Sequence, residues 1–373
     1  MGYNDISLHN GGAADGSLMT PHIDSLANSG IFFSRGYAAN ATCAPSRASI
    51  MTGRYSTRFG FEFTPIPEVG RMILNWLREE DDSELKARID REVATNLPPF
   101  MEQGMPTEQI TIAEVLRDAG YYTAHIGKWH LGHHKQVLPT SNGFDTYFGI
   151  PYSNDMNHPD NKGKPKGGWA GMDILWDDPE STLTKWKTPL FEDEKIVELP
   201  VDQRTITRRC TQKAIDFIKA NKDKPFFVYV PHSMPHIPLY VPDEIRDPDP
   251  KNAYINTIEH IDSEVGRLLK TLDELKLAEN TYVIYTSDHG IAIGRHGLQG
   301  KQNLYEHSWR VPFIVRGPGI EPGTRATGNL YLLDILATLC DFAQIPAPKT
   351  NEGISLKPVF EGNTDAVREV LYG

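Results

Sequence analysis

Only three cysteines, Cys43, Cys210 and Cys340, occur in 373 residues. So few exclude a disulfide framework, and Cys210 and Cys340 sit in apolar helical patterns as small core residues. No apolar run approaches the roughly 20 residues that a membrane span needs. Basic residues are also in short supply, with 38 Lys and Arg against 49 Asp and Glu and a net charge of −11. No global basic field exists to draw in nucleic acid or an anionic membrane, although a local cationic pocket for a small anion stays compatible. Acidic stretches such as Arg78–Asp90 read as a wet helical face. Internal repeats and low-complexity segments are absent.

What is present is a 39% hydrophobic chain, ample for a large core, in which β-rich runs alternate with helical patterns. That alternation predicts an α/β fold with a largely parallel sheet flanked by helices. The predicted strands are Tyr121–Ile126, Pro225–Val230, Thr281–Thr286 and Val311–Val315. Between Tyr254 and Leu275 the residues Ile258, Ile261, Val265, Leu268, Leu272 and Leu275 recur at steps of three and four, an amphipathic helix. Further helices are expected at Thr111–Ala119, Gln203–Ala220 and Gly328–Ala343. Two stretches break the rhythm, Phe61–Gln109 and Asn154–Leu199, and read as long insertions over one face. The segment around Pro159–Trp169 is expected to line the mouth of a site.

Residues 43–54 read CAPSRASIMTGR. A helix over Ser46–Thr52, with Pro45 tolerated in its first turn, places Cys43 at a helix N-terminus. There, free backbone N–H groups and the dipole favour an anion. Arg47, one turn along, can face the same point. Four other segments carry reactive side chains: GKWHLG at 127–132 after a strand, GIPYSND at 149–155, PHSMPHIP at 231–238, and SDHG at 287–290 followed by Lys301. Strand-end loops are where sites of α/β sheets collect, and Asp288 is a hard oxygen donor suited to calcium.

The run at 43–54 matches C-x-P-S-R-x-x-x-x-T-G-R at every fixed position. At residue frequencies near ~5% that agreement arises by chance in fewer than about one such chain per million. The chain thereby resembles the type I, formylglycine-dependent sulfatases, in the branch of arylsulfatase A and N-acetylgalactosamine-6-sulfatase. The other motifs follow in that family's order over almost the whole chain. The resemblance implies an alkaline-phosphatase-like sandwich and hydrolysis of an aryl or carbohydrate sulfate monoester. It also implies conversion of Cys43 to formylglycine by a maturation enzyme. Arg47, Lys128 and Lys301 would bind sulfate and Ser153 would lie beside it. His130 would handle the formylglycine proton, and His236 would protonate the leaving group, with His232 the lesser candidate. Asp288, His289 and the modified Cys43 would ligate one calcium ion. A periplasmic, secreted or lysosomal location is the family's expectation.

The resemblance also marks departures. The family opens with a strand ending in two metal-binding aspartates, whereas this sequence begins MGYNDIS, just beyond that point; Asp5 matches a later aspartate. Residues 1–345 are therefore expected to form a catalytic domain lacking its first strand. Residues 346–373 would lead toward a C-terminal antiparallel-sheet subdomain. Two alternatives follow: a phosphonate monoester or phosphodiester hydrolase sharing the formylglycine signature, and a catalytically incomplete fragment without its metal ligands.

Overall fold

A computed structural model describes residues 1–9, 16–65, 102–156 and 187–371. The strands among these residues are β1 Ile31–Tyr37, β2 Tyr122–Ile126, β3 Thr146–Gly149, β4 Leu190–Glu192, β5 Lys195–Glu198, β6 Phe226–Tyr229, β7 Val283–Thr286, β8 Ala292–Ile293, β9 Gln299–Gly300, β10 Arg310–Arg316 and β11 Thr324–Tyr331. The helices are α1 Pro21–Asn28, α2 Cys43–Thr52, α3 Ile112–Asp118, α4 Gln203–Asn221, α5 Ala253–Glu274, α6 Glu306–Trp309, α7 Asp334–Phe342 and α8 Lys357–Phe360.

Two mixed sheets run in the orders β11-β1-β10-β7 and β5-β4-β3-β2-β6. The expected parallel pairing holds for β1 with β11 and for β2 with both β3 and β6. Pairing is antiparallel for β1 with β10, β10 with β7, β3 with β4, and β4 with β5. The described end of the second insertion is thus a hairpin, β4–β5, that extends the sheet rather than covering a face. Residues 66–101 and 157–186, and with them Arg78–Asp90 and Pro159–Trp169, lie outside the described residues.

Alternation along the strands builds a sandwich. Side chains of successive residues point to opposite faces, so Phe33, Phe313 and Val315 join one core with Ala48, Leu336 and Phe360. Their neighbours Phe32 and Ile314 join the other, against Ile23 and Leu26 of α1 and Ile258, Ile261 and Val265 of α5. The first half of the predicted α5 stripe is as read; beyond Val265, Leu269 rather than Leu268 enters this core, Leu268 leans on a third cluster with α4, Leu272 is buried outside these clusters and Leu275 lies just past the helix end. The expected helix over Gly328–Ala343 is a correction: residues to Tyr331 pair with β1 as β11, and only Asp334–Phe342 is helical. Apolar spacing of β11 and α7 merges in sequence, and only the partner strand separates them.

Strands β6 and β7 end the two sheets, and every residue in each is partly exposed. Both lead into loops of the site described next.

Candidate active site

Cys43 is the first residue of α2, preceded by Thr42 in extended conformation. All ten residues of α2 are buried, which is why it shows no amphipathic stripe. Two of its polar side chains tie it to other segments. Ser46 Oγ donates to the Asp288 carbonyl at 2.5 Å. Arg47 Nε donates to Asp288 Oδ2 at 2.8 Å, and another guanidinium nitrogen donates to the Lys128 carbonyl at 2.5 Å. Arg47 thereby fastens the loop after β2 to the loop after β7.

Three strand-end loops are zipped together by backbone hydrogen bonds. Lys128 N donates to Pro231 O at 2.8 Å, Trp129 N to Ile150 O at 2.9 Å and His130 N to Pro151 O at 3.0 Å. Close approach demands glycine here, since a Cβ on Gly127 would lie 2.1 Å from Pro231 O and one on Gly149 1.8 Å from Gly127 O. His130 itself has a positive φ of 66°, a conformation that costs energy and persists only where surroundings impose it.

These loops converge on the sulfur of Cys43, a residue 1% exposed. Lys301 Nζ stands 2.8 Å from Sγ and His289 Nε2 3.0 Å. His289 Nδ1 lies 2.7 Å from the Gly290 carbonyl, so that nitrogen carries a proton and the ring is fixed with Nε2 turned toward Cys43. Lys301 Nζ is also 2.9 Å from His236 Nε2. Ser153 Oγ lies 3.3 Å from that same nitrogen and 3.5 Å from Lys128 Nζ. His232, four residues before His236, lies instead toward His260, whose proximity helps lower its pKa.

The electrostatics follow from burial beside like and unlike charge. Burial alone would raise the Cys43 thiol, but Lys128, Lys301 and His289 outweigh it and hold the group well below its ordinary value. Burial followed by Lys128 pushes His130 down to about 3. Burial and then Lys301 and Lys128 lower His236, opposed by Asp155. Lys301 is raised despite its burial, because the Cys43 charge faces it. Asp288 is held low despite its burial, chiefly by Arg47. The cluster suits a buried anion at the Sγ position.

Donor atoms of Cys43, Asp288 and His289 lie within 4.8 Å of one another, the grouping among the described residues with metal-ligand chemistry. Tested against calcium the set falls short: calcium takes 6–8 oxygens, and this set supplies one carboxylate, already bonded to Arg47. It is at most part of a shell.

Sequence reasoning passed over two neighbours in GIPYSND. Asn154 donates to the Pro238 carbonyl at 3.0 Å and the His236 carbonyl at 3.4 Å, holding the His236 loop. Asp155 raises the pKa of both His236 and Lys301. Both directly follow Ser153 in that motif, but the loop they support lies some eighty residues away, so sequence order carries no signal of the contact. Among the described residues, no helix is long and apolar enough to cross a membrane.

The family model described as Sulfatase matches residues 1–345. Arylsulfatase G of Rattus norvegicus is 31% identical over 399 residues, covering 100% of this chain and 69% of the relative. N-acetylgalactosamine-6-sulfatase of Canis lupus familiaris is 29% identical over 395 residues, covering 100% of this chain and 66% of that protein. The chain thus spans about two thirds of the length of these relatives. The crystal structure of Ps i-CgsB superimposes with a TM-score of 0.71 at 26% identity, over 97% of this chain and 74% of that one. The phosphonate monoester hydrolase SpPMH from Silicibacter pomeroyi shares the fold, with a TM-score of 0.63 at 19% identity over 97% of this chain and 75% of its own.

Proposed function

This chain belongs to the sulfatase family of sulfuric ester hydrolases, and from that premise we propose that it hydrolyses a saccharide or aryl sulfate monoester with a formylglycine derived from Cys43. The observation that carries this reading is the buried cationic nest around Sγ, with Lys301 at 2.8 Å and His289 at 3.0 Å. The Sγ position stands in for the oxygens of the modified residue. Once hydrated, that aldehyde supplies two hydroxyls on one carbon, one to attack sulfur and one to expel sulfate. An unmodified thiol has no such exit.

The remaining roles belong to this chain's own side chains. Lys128, Lys301 and Arg47 surround the point where a sulfate would sit and stabilise charge developing on its oxygens. Ser153, between Lys128 and His236, accepts a place beside the sulfate. His236 is assigned to pass a proton to the departing alcohol oxygen; its Nε2 accepts from the Lys301 ammonium at 2.9 Å, which supplies that proton. His130, neutral through burial, is the base that takes the proton of the expelling hydroxyl. Asp288 and His289, with the modified Cys43, are assigned to a divalent-cation site. By themselves their donors are too few for a calcium shell.

GIPYSND favours the sulfatase reading over a phosphonate monoester or phosphodiester hydrolase. The structure of Ps i-CgsB with k-i-k-neocarrahexaose, likewise 26% identical, supports a carbohydrate ester. Turnover of aryl sulfate, aryl phosphodiester and sulfated saccharides by protein coexpressed with a maturation enzyme tests this. Sulfate release is expected to exceed phosphodiester cleavage; the reverse order defeats the proposal. A protein inert on every ester and without calcium affinity would support the incomplete-fragment alternative.

A further inference from the structure

A recess is lined by the loop that carries Lys301. It is a cavity of about 230 Å³ whose walls include Tyr3, Asp5, Arg295, His296, Tyr305 and His307. Three of its rings are stacked nearly parallel. His296 and Tyr305 lie 4.7 Å apart at 21°, and Tyr305 and His307 5.7 Å apart at 15°. Tyr305 is 50% exposed at the rim, whereas His307 is 8% exposed and neither of its ring nitrogens has a hydrogen-bond partner. Burying such a donor–acceptor pair unpaired is costly, and unlike His125, which is sealed in an aromatic box, His307 lines a cavity from which a ligand hydroxyl or a water can reach it.

The cavity's charges are balanced. Arg295 lies 3.4 Å from Asp5, and Arg310 lies 3.4 Å from Glu306. No uncompensated cation is left to select a free anion. The walls offer instead an aromatic face edged by donors and acceptors, which matches a ring with apolar C–H faces and hydroxyls that both give and take hydrogen bonds. Its volume is below the about 300–1,000 Å³ of pockets for drug-sized ligands, room for one sugar ring.

The recess is mechanically tied to the reacting centre. Positive φ angles at Gly294, His296, Gly297, Gly300 and Gln302 shape one loop, and that loop carries both the His296 ring and Lys301. Gly290, next to His289, donates to the Ser308 carbonyl at 2.9 Å, next to His307. We propose that this cavity is a saccharide subsite, built on the His296–Tyr305–His307 stack, that binds a sugar ring of the substrate away from the sulfate. This deepens the sulfate-ester reading and rests on it only for the kinetic half of its test.

The binding half uses sulfate-free probes, desulfated galactan and glycosaminoglycan tetrasaccharides, with the full chain carrying Cys43→Ala. Saturation transfer to sugar C–H protons is expected in that protein and with Tyr305→Phe added, and is expected to be lost with Tyr305→Ala. Because Tyr305 is exposed, its truncation should leave the melting temperature unchanged. No transfer to any probe, or transfer undiminished in Tyr305→Ala, overturns the proposal. In the kinetic half, Tyr305→Ala is expected to raise KM for sulfated tetrasaccharides by about tenfold or more with kcat unaltered, the mark of lost uniform binding. Aryl sulfate turnover should be unaffected. An equal loss on both substrates also overturns the subsite. Wild-type protein that hydrolyses no sulfate ester defeats the sulfatase reading, and the binding half then decides the cavity by itself.

Discussion

Cys43 and His125 show how differently burial acts on two titratable side chains. Cys43 is surrounded by Lys128, Lys301 and His289, so its site stabilises an anion. In protein matured to the aldehyde, peptide mass spectrometry is expected to find the modification at residue 43. Cys43→Ala should abolish turnover with an unchanged circular dichroism spectrum; wild-type turnover in that variant would remove Cys43 from the chemistry. His125, on β2, is fully buried in a box of Trp129, Phe144, Tyr147 and Tyr229. Neither ring nitrogen has a hydrogen-bond partner. Burial, reinforced by Arg47, drives its pKa well below the ordinary 6.5. The folded protein therefore holds it neutral, while the unfolded chain takes up a proton as pH falls through about 6.5. Stability is lost on acidification, by up to ~1.4 kcal/mol per pH unit from this group. His125→Phe should show a shallower fall in urea midpoint between pH 7 and pH 5. His232, pushed down to about 4 by burial, keeps part of that slope in the variant. Parallel profiles for the two proteins would show that His125 is not the sensor.

At the scale of elements, most of the chemistry depends on how loops are tied to strand ends and how the last segment is tied to the sandwich. Asp334 opens α7 with 0% exposure and gathers four donors. Arg368 binds it through Nε at 3.0 Å and a terminal nitrogen at 2.5 Å, and the backbone of Tyr331 and Ile354 donates at 2.9 and 2.8 Å. One carboxylate thus joins β11, α7 and the segment around residues 354–368. Removing one partner of a buried pair leaves the other uncompensated, at a cost of about 3–5 kcal/mol. Asp334→Ala is expected to lower stability by that order, read from the denaturation midpoint. A change within ~0.5 kcal/mol, usual for surface substitutions, would show that the segment is held by apolar contacts instead.

For the molecule as described, the leading feature is the pair of half-exposed edge strands β6 and β7, both feeding the loops that meet at Cys43. The amino group of Met1 lies 3.0 Å from Ser287 Oγ and 3.0 Å from the His289 carbonyl. Chain attached ahead of Met1 would therefore enter beside Asp288. Extending the protein there with an apolar strand ending in two aspartates is expected to pair unpartnered edges and add hard oxygen ligands to Asp288. The expected result is a higher melting temperature and calcium binding tightened by at least about tenfold, some 1.4 kcal/mol. Calorimetry that finds equal calcium affinity with and without the extension would refute the assignment of Asp288 and His289 to a cation site.

The sequence by itself determined the family through CAPSRASIMTGR, the α/β class through alternating periods, and the first half of the α5 stripe, because these are local patterns with fixed spacing. It also named the side chains that meet at Cys43, but only by their likeness to a known order of motifs. Nothing local says that Lys301 reaches a sulfur 258 residues away. Tertiary structure decided the mixed pairing, the split of Gly328–Ala343 into strand and helix, and the place of residues 190–198 in the sheet. The likeness to the family already ranked His236 above His232; the fold adds the physical difference, His236 facing Lys301 and His232 lying toward His260. Tertiary structure alone revealed Asn154 and Asp155 as supports and the ring stack at His296, Tyr305 and His307. The physical reason is the same in each case: hydrogen-bond pairing and desolvation act between segments distant in sequence, and side-chain spacing records only what neighbours along the chain can do.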